Sequence, residues 1–456
     1  MPGKASLFDD FQPVASKAWK QQIQYELKGA DYNETLVWDS PDGIRVKPFY
    51  HGDEDTIENA VPATTSGFSI CQEIFVFDVP KSALRAVESV QRGADAIRFL
   101  LADDSCDVET LLRDFPFATA PASFRLAVAS DTILQKLQQI AAQHQVVMAC
   151  EIDPIRHLTQ DGNWFAGIGD NFEWLSARIT RYPNLSLLSV DATGYQNAGA
   201  TSVQQLAYAL SHMNEYLERT VESANEPTFH LAIGPNYFFE IAKIRALRML
   251  YASLAELHGR PIGCRIAATP TRRNKTLYDY NVNMLRTTTE CMAAIVGGAD
   301  TVTNLPYDAL YHKSNEFGER IARNQLLILK NESHFDVTAN PADGSYYIET
   351  LTAQLAEKAL ALFKEIEAGG GFLAQLKEGT IQRKIRESAE KEQAAFDSGA
   401  EVLVGTNKYP NKTDRMKDDL QLFPFVKTQP RKTLITPIIE KRLAEKSEQE
   451  RLAAES

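Results

Sequence analysis

The chain has 456 residues, of which 44% are hydrophobic and 24% are charged, so it can bury a sizeable core. Its formal net charge of −12 argues against a nucleic-acid-binding or anionic-membrane surface. Five cysteines without a C-x-x-C spacing indicate buried, reduced thiols. The N-terminus has no apolar signal-peptide core, and no apolar run reaches the length of a membrane span. The sequence therefore predicts a soluble cytoplasmic protein with neither a nucleic-acid nor a membrane partner.

Residues 1–65 precede any regular pattern and are predicted to form an N-terminal arm. An amphipathic helix over residues 17–29 ends in glycine, and a turn at residues 40–43 leads into a short strand over residues 44–50. Trp19, Trp38 and Tyr50 make the arm too apolar for a loose terminus. We therefore expect it to pack on another surface.

From residue 66 to residue 340, strand-like runs alternate with segments of helical period. The strand-like runs are residues 68–77, 96–102, 124–129, 146–152, 185–190, 228–233, 262–268 and 300–304. The helical segments are residues 81–91, 108–113, 131–143, 171–181, 202–221, 237–258, 277–296 and 317–330. Eight strand-then-helix units predict an α/β fold of the (β/α)8 TIM-barrel type. An open doubly wound sheet is the alternative, but no G-x-G-x-x-G follows the first strand.

Residues 341–456 are predicted to form a C-terminal helical extension. Helices over residues 353–367 and 380–398 are separated by a triple glycine at residues 369–371. The final stretch, residues 441–456, is rich in Ala, Glu, Lys and Arg. We expect this tail to be a frayed helix exposed to solvent.

The active site of a TIM barrel lies where the strands end, and acidic residues gather at the predicted ends. Glu151 and Asp153 are two apart on one strand, so their side chains point the same way, and Asp191 follows the next strand. Such carboxylates can hold Mg²⁺ or share an acid–base task, which defines a stand-alone metal-dependent barrel enzyme. The alternative is that they cap helix N-termini or pair with Arg156 and Arg265.

Histidines and basic residues add no stronger motif. None of the eight histidines stands at metal-ligand spacing, and the chain has no H-E-x-x-H, G-x-S-x-G or P-loop motif. His157 follows the fourth strand closely enough to reach a pocket, although a surface position is favoured. The cluster after the seventh strand either meets a phosphate or forms a solvated loop, and we favour the loop; it consists of Thr271, Arg272, Arg273 and Lys275.

Six stretches in a fixed order match one protein family. They are KAWKQQIQYELKG with WDSPDGIRVKPFY in the arm, IGPNYFFEIAKIRALRML at residues 233–250, NVNMLRTTTECMAA at 281–294, RIARN at 320–324, DGSYYIE at 343–349 and GTNKY at 405–409. Together they cover nearly the whole chain and resemble the methylmalonyl-CoA mutase family. The resemblance implies a (β/α)8 barrel and an adenosylcobalamin-dependent rearrangement between methylmalonyl-CoA and succinyl-CoA.

The departures from the family's catalytic chain fall at the strand ends. Where that chain reads S-G-Y-H-M-Q-E-A-G-A, residues 191–200 read DATGYQNAGA. Gly194 therefore stands where the catalytic histidine is expected, and Thr193 stands at the position of its tyrosine. Two further histidine-bearing stretches become RIAATP at residues 265–270 and GGADTVTN at residues 297–304. The resemblance thus leaves no catalytic residue here, and the residual pocket positions are Glu151, Asp153, Asp191, Arg265 and Asp300.

The family's cobalt-ligating D-x-H-x-x-G motif does not occur in the sequence. Residues 410–456 are too few for another doubly wound domain. The resemblance therefore implies the small, non-catalytic subunit of a heterodimeric mutase, lacking the cobalamin-binding domain. Its partner is expected to be a homologous catalytic large subunit that holds adenosylcobalamin and is wrapped by the arm. The alternative is the barrel chain of a split acyl-CoA mutase with a separate cobalamin-binding chain.

Overall fold

The computed structural model describes residues 11–53, 61–62, 66–167, 169–223, 225–427 and 430–455. The predicted domain boundary at residue 65 lies outside these residues. Within them, no helix is both long and apolar enough to cross a membrane.

The N-terminal arm contains two helices and a small antiparallel hairpin. These elements are α1 (Ser16–Glu26), α2 (Tyr32–Leu36), β1 (Trp38–Asp39) and β2 (Arg45–Val46). The helix predicted over residues 17–29 is confirmed. The strand predicted over residues 44–50 is reduced to β2, since Pro48 has no backbone N–H to donate to a ladder.

The hairpin packs on the chain's own barrel. Asp42 in its turn accepts a hydrogen bond of 2.7 Å from the backbone N–H of Val203. The ring of Trp38 packs edge-on against Phe239, with ring centroids 5.6 Å apart. The base of the arm is therefore anchored to the barrel.

Parallel strand segments form one sheet whose two ends belong to the same stretch of chain. The segments are β3 (Ser69–Phe75), β4 (Ala96–Leu101), β5 (Ala122–Leu126), β6 (Met148–Glu151), β7 (Leu185–Ser186), β8 (Ser189–Asp191), β9 (Thr228–Ile233), β10 (Arg265–Pro270) and β11 (Thr301–Val302). Their order in the sheet is β7-β6-β5-β4-β3-β11-β10-β9-β8. Residues 185–191 pair with β6 at their start and with β9 at their end. The sheet therefore closes as the predicted (β/α)8 barrel, with β7 and β8 as two halves of the fifth strand.

Helices follow every barrel strand, as the alternation predicted. They are α3 (Val79–Gln91), α4 (Val108–Leu112), α5 (Asp131–His144), α6 (Pro154–Asp161), α7 (Asn171–Arg181), α8 (Thr193–Asn197), α9 (Ser202–Arg219), α10 (Tyr237–Leu257), α11 (Val282–Val296) and α12 (Glu316–Leu327), which runs into a π-helical turn, Ile328–Glu332. The short helices α6 and α8 were not predicted. For α6 the signal was present, because Asp153 caps it and Pro154 opens it.

The C-terminal extension adds an outer helical layer. Its helices are α13 (Tyr346–Ala368), α14 (Phe372–Lys377), α15 (Thr380–Ser398) and α16 (Glu445–Ala454). Helix α13 packs on α9 and α10 and buries Leu351, Leu355 and Ala359. This contact explains why α9 is buried on more than one face.

The expectation of a solvated C-terminal tail is wrong. Leu443 and Ala444 are buried. The hydroxyl of Tyr278 donates a hydrogen bond of 2.6 Å to Glu455 near the end of the chain. Composition shows that the tail is charged but not that its charges find partners inside the fold, which is what allows them to be buried.

Glu367 on α13 faces two carboxylates of α9. Burial, together with the negative charges of Glu215 and Glu218, raises the pKa of Glu367 from 4.5 to about 7. A carboxyl group whose pKa is raised on folding opposes folding once it ionises. The free energy of unfolding therefore falls as the pH rises from 4.5 to about 7, and this group changes it no further above that.

We expect Glu367→Gln to raise the free energy of unfolding at pH 8, because the neutral amide removes the buried like-charge repulsion. At pH 4.5 the variant should match the wild type. Urea denaturation at the two pH values measures both. Glu365→Gln on the exposed side of α13 is the control. An equal change at both pH values would contradict this account of Glu367.

Candidate functional site at the carboxyl ends of the strands

Charged side chains meet inside the barrel. The Arg98 Nε atom on β4 lies 3.2 Å from a carboxylate oxygen of Glu151 on β6, and the Arg125 Nε atom on β5 lies 3.1 Å from the other oxygen. His230 on β9 places its Nε2 atom 3.1 Å from Glu151. Because neither β4 nor β9 is a neighbour of β6 in the sheet, these contacts cross the barrel interior.

The buried carboxyl groups are held in their ionised form. Burial raises the pKa of Glu151, but the charges of Arg98, His230 and Arg125 outweigh it and hold the pKa well below its usual range. The pKa of Asp191 is lowered for the same reason, with burial opposed by Arg125 and Arg156. Both residues are therefore permanent anions at neutral pH and not proton donors.

Asp153 is saturated by hydrogen bonds from its own chain. Its carboxylate accepts from the backbone N–H of Arg156 at 2.8 Å, which caps α6, and from that of Asp191 at 2.7 Å. The hydroxyl of Tyr216 donates at 2.6 Å, and His212 Nε2 lies at 2.9 Å. The prediction that these acidic residues cap a helix or pair with arginine therefore holds in part: Asp153 caps α6 and Asp191 pairs with Arg156, but Arg265 pairs with Glu226 instead. No group of three or more His, Cys, Asp or Glu side chains among the described residues is arranged to hold a metal ion.

The guanidinium group of Arg156 lies directly over Gly194. A Cβ atom at residue 194 would overlap the Nη1 atom of Arg156 and would lie 2.6 Å from its Cζ atom. Arg156 is only 12% exposed and also lies 3.6 Å from the carboxylate of Asp191. A side chain at residue 194 would therefore displace the guanidinium group of Arg156 from its contacts with Asp191 and Glu440.

A segment near the C-terminus crosses the mouth of the barrel. We call residues 431–443 the strap. It runs from α6, past α8, to the loop after β10. Backbone hydrogen bonds hold it at each of these places, including Ile438 to Thr159 at 2.8 Å, Lys441 to Asn197 at 3.1 Å and Leu443 to Arg273 at 2.9 Å. These positions follow β6, β8 and β10, so the strap covers the carboxyl ends of those strands.

Glu440 connects the strap to the charges in the barrel. One of its carboxylate oxygens accepts a hydrogen bond from Nη2 of Arg156, and the other accepts from the side-chain amide of Asn197 at 3.0 Å. A continuous chain of ionic contacts therefore runs from Glu151 through Arg125 and Asp191 to Arg156 and Glu440. The space above these strand ends is filled by the chain's own side chains.

Comparison with known proteins identifies the family. Residues 102–453 match the family model described as methylmalonyl-CoA mutase. The methylmalonyl-CoA mutase small subunit of Porphyromonas gingivalis is 32% identical over 463 aligned positions, covering 92% of this chain and 73% of that relative. The chain belongs to the methylmalonyl-CoA mutase family. Further members include the small subunit of Streptomyces virginiae, 29% identical over 90% of this chain and 73% of its own length. The large subunit from that organism is 34% identical over 56% of this chain and 36% of its own length.

Two of the predicted pocket residues, Arg265 and Asp300, do not lie near Glu151. Arg265 is the first residue of β10 and is 72% exposed, and it pairs with Glu226 at 3.7 Å. Asp300 precedes β11 and pairs with Arg248 at 2.8 Å. Both line a separate cavity of about 600 Å³ at the amino ends of the strands. Placing them in one pocket with Glu151 was wrong, because β10 begins at residue 265.

The basic cluster after β10 is largely buried, so the solvated-loop prediction is wrong for three of its four members. Thr271 donates a hydrogen bond of 2.8 Å to Asn197, and Arg273 pairs with Glu392. Lys275 pairs with Glu290 at 2.7 Å. Only the fourth member, Arg272, is exposed.

Several residues of the site were missed by sequence reasoning. Arg98 and Arg125 interrupt otherwise apolar strands, and a charged residue in a strand covered on both faces is a readable signal of a buried ionic partner. His157 was expected at the surface, but it is half-buried and stacks on Phe165 with ring centroids 4.0 Å apart. Glu440 carried no local signal, since its partner Arg156 lies 284 positions earlier.

The contact between Arg156 and Gly194 predicts coupling between these positions. Gly194→His should lower the free energy of unfolding by about 1–3 kcal/mol, because the new side chain displaces a buried guanidinium group. Gly194→Ala should have a smaller effect in the same direction. In urea denaturation, the double variant R156A/G194H should be more stable than the sum of the single effects predicts, by about 1 kcal/mol or more. Strict additivity would show that Arg156 does not occupy the space beside residue 194.

Proposed function

We propose that this chain is the non-catalytic small subunit of a heterodimeric, adenosylcobalamin-dependent methylmalonyl-CoA mutase. The observation that carries the proposal is that Arg156 and Glu440 fill the space beside Gly194, where the family resemblance expects a catalytic histidine. The match to relatives named as small subunits supports the same assignment.

The chemistry of the family indicates what side chains above the strand ends would exclude. A carbon-skeleton rearrangement by a radical depends on its cofactor for the difficult step, and the protein must hold the substrate beside that cofactor. Here the strap crosses the carboxyl ends of the strands, and ionic side chains cross the barrel interior. These residues do not fit a corrin above the strands or an acyl group beside residue 194. We therefore assign adenosylcobalamin and the catalytic residues to the large subunit.

The proposal predicts that this chain alone has no turnover. Mutase activity should be assayed with adenosylcobalamin and methylmalonyl-CoA for this chain, for its homologous large subunit and for the two mixed. We expect a 1:1 complex by size-exclusion chromatography and turnover only in samples that contain the large subunit. Turnover by this chain alone would show that a residue other than the missing histidine supports catalysis.

The arm supplies the surface that we assign to the partner. Helix α1 leaves Trp19 53% exposed and Tyr25 80% exposed, while the hairpin that follows is anchored by Trp38 and Asp42. Exposed aromatic side chains on an anchored element are typical of residues that dominate binding at protein interfaces. In this proposal residues 1–65 contact the large subunit, residues 66–340 form the barrel, and residues 341–456 cover it from outside and above.

The arm assignment predicts a selective loss of affinity. Trp19→Ser with Tyr25→Ser should weaken the complex by about a thousandfold, since such aromatic residues carry about 2 kcal/mol each at an interface centre and each 1.4 kcal/mol is about tenfold in affinity. Isothermal titration with the large subunit measures the affinity. Tyr409→Ser removes an aromatic ring of similar exposure outside the arm and is the matched control. Equal losses of affinity in the two variants would show that α1 does not form the centre of the interface.

The contacts favour neither alternative function. The barrel chain of a split mutase would need an open mouth, whereas the strap and Glu440 cover it. A metal-dependent enzyme would need free carboxylates, whereas Glu151 and Asp191 are neutralised by arginines and Asp153 is fully hydrogen-bonded. We therefore retain the subunit role, and we propose a cytoplasmic location for it from the sequence alone.

A further inference from the structure

A groove beside the strap carries an excess of positive charge. Its volume is about 350 Å³, and it lies between the strap and residues 422–427. Five cationic and two acidic side chains line it, although the whole chain has a net charge of −12. One wall is aromatic, since Phe423 and Phe425 lie edge to face with ring centroids 5.5 Å apart.

The acidic residues of the groove are already engaged. Both carboxylate oxygens of Glu440 accept hydrogen bonds, from Arg156 and from Asn197. Glu445 accepts from the backbone N–H groups of Arg442 and Val426, at 3.4 and 3.5 Å. Glu440 therefore neutralises Arg156, which is not part of the groove lining. Glu445 keeps its negative charge but forms no ion pair with a cation among the described residues.

Two of the five cations have carboxylate partners and three do not. Arg273 pairs with Glu392, and Arg442 pairs with Glu448 at 2.6 Å. In the part of the chain that the structure describes, the remaining three make no ion pair with a carboxylate; they are Arg272, Lys427 and Lys441. Lys427 lies over the ring of Phe423, with its ammonium group 5.6 Å from the centroid. The groove therefore combines unneutralised positive charge with an aromatic surface.

We propose that this groove binds a nucleotide, with the phosphates between Arg272 and Lys441 and the base against Phe423. An arginine fork and an ammonium group are the usual protein partners of phosphate oxygens. An exposed aromatic ring provides a stacking surface for any base. The volume lies within the range of small-molecule sites. An acidic protein segment would need a broader, flatter surface. The inference is independent of the subunit assignment because it makes no use of the partner.

Isothermal titration of the full chain with ADP tests the site, with pyrophosphate and adenosine as separate probes. We expect ADP to bind about tenfold more tightly than either fragment, because only ADP engages both the cations and the ring. Arg272→Ala with Lys441→Ala should weaken ADP binding about tenfold or more. Phe423→Ala should weaken ADP binding and leave pyrophosphate binding unchanged. Lys377→Ala, at an exposed lysine outside the groove, is the matched control.

Three results would overturn the proposal. ADP binding that is unchanged in the double variant would show that Arg272 and Lys441 do not contact the ligand. Pyrophosphate binding as tight as ADP binding would show a plain anion site with no role for the ring. Absence of ADP binding by the wild-type chain would dismiss the site altogether. Circular dichroism checks that each variant is folded. If the double variant is unfolded, Arg272→Gln alone is used in its place, and this single variant should also weaken ADP binding.

Discussion

The fold of this chain depends on a row of buried ionic contacts along the barrel. Arg125 joins Glu151 to Asp191, and Arg156 joins Asp191 to Glu440 on the strap. Each member is tolerated in the interior only because its neighbours neutralise it, and removing one leaves an uncompensated charge. The strap is therefore part of the same electrostatic unit as the barrel strands, although it comes from the last residues of the chain.

This row of ionic contacts gives the glycine at residue 194 a structural role. Viewed through the family resemblance alone, the position has simply lost a histidine. In the structure, the missing side chain is what lets the guanidinium group of Arg156 approach the backbone, reach Asp191 and bind Glu440. Glycine at residue 194 thus makes room for the guanidinium group that links Asp191 to the strap. Barrel stability and barrel chemistry reside in separable parts of the fold, which permits such an exchange.

The sequence was informative wherever local pattern decides structure. Alternating apolar runs located all eight barrel strands. Alignment of residues 191–200 with the family motif singled out Gly194. The failures concern partners distant in sequence. The Ala, Glu, Lys and Arg composition of the tail does not reveal that Glu455 accepts a hydrogen bond from Tyr278. No local pattern reveals that Glu440 on the strap meets Arg156 across 284 positions. The placement of Arg265 failed for another reason: strand boundaries are poorly defined by periodicity, and β10 begins at that residue.

The strap covers the carboxyl ends of β6, β8 and β10, which directs attention to the outer surface of the chain. Two parts of that surface carry the proposals made above: the aromatic side of α1 and the cationic groove beside the strap. They differ in kind, since exposed rings suit a protein partner and unpaired cations beside a ring suit a phosphorylated ligand. The groove is also tied to the interior, because Lys441 faces it while the adjacent Glu440 holds Arg156. A ligand at Lys441 would therefore contact the same strap that carries Glu440, and would stabilise the folded strap by mass action.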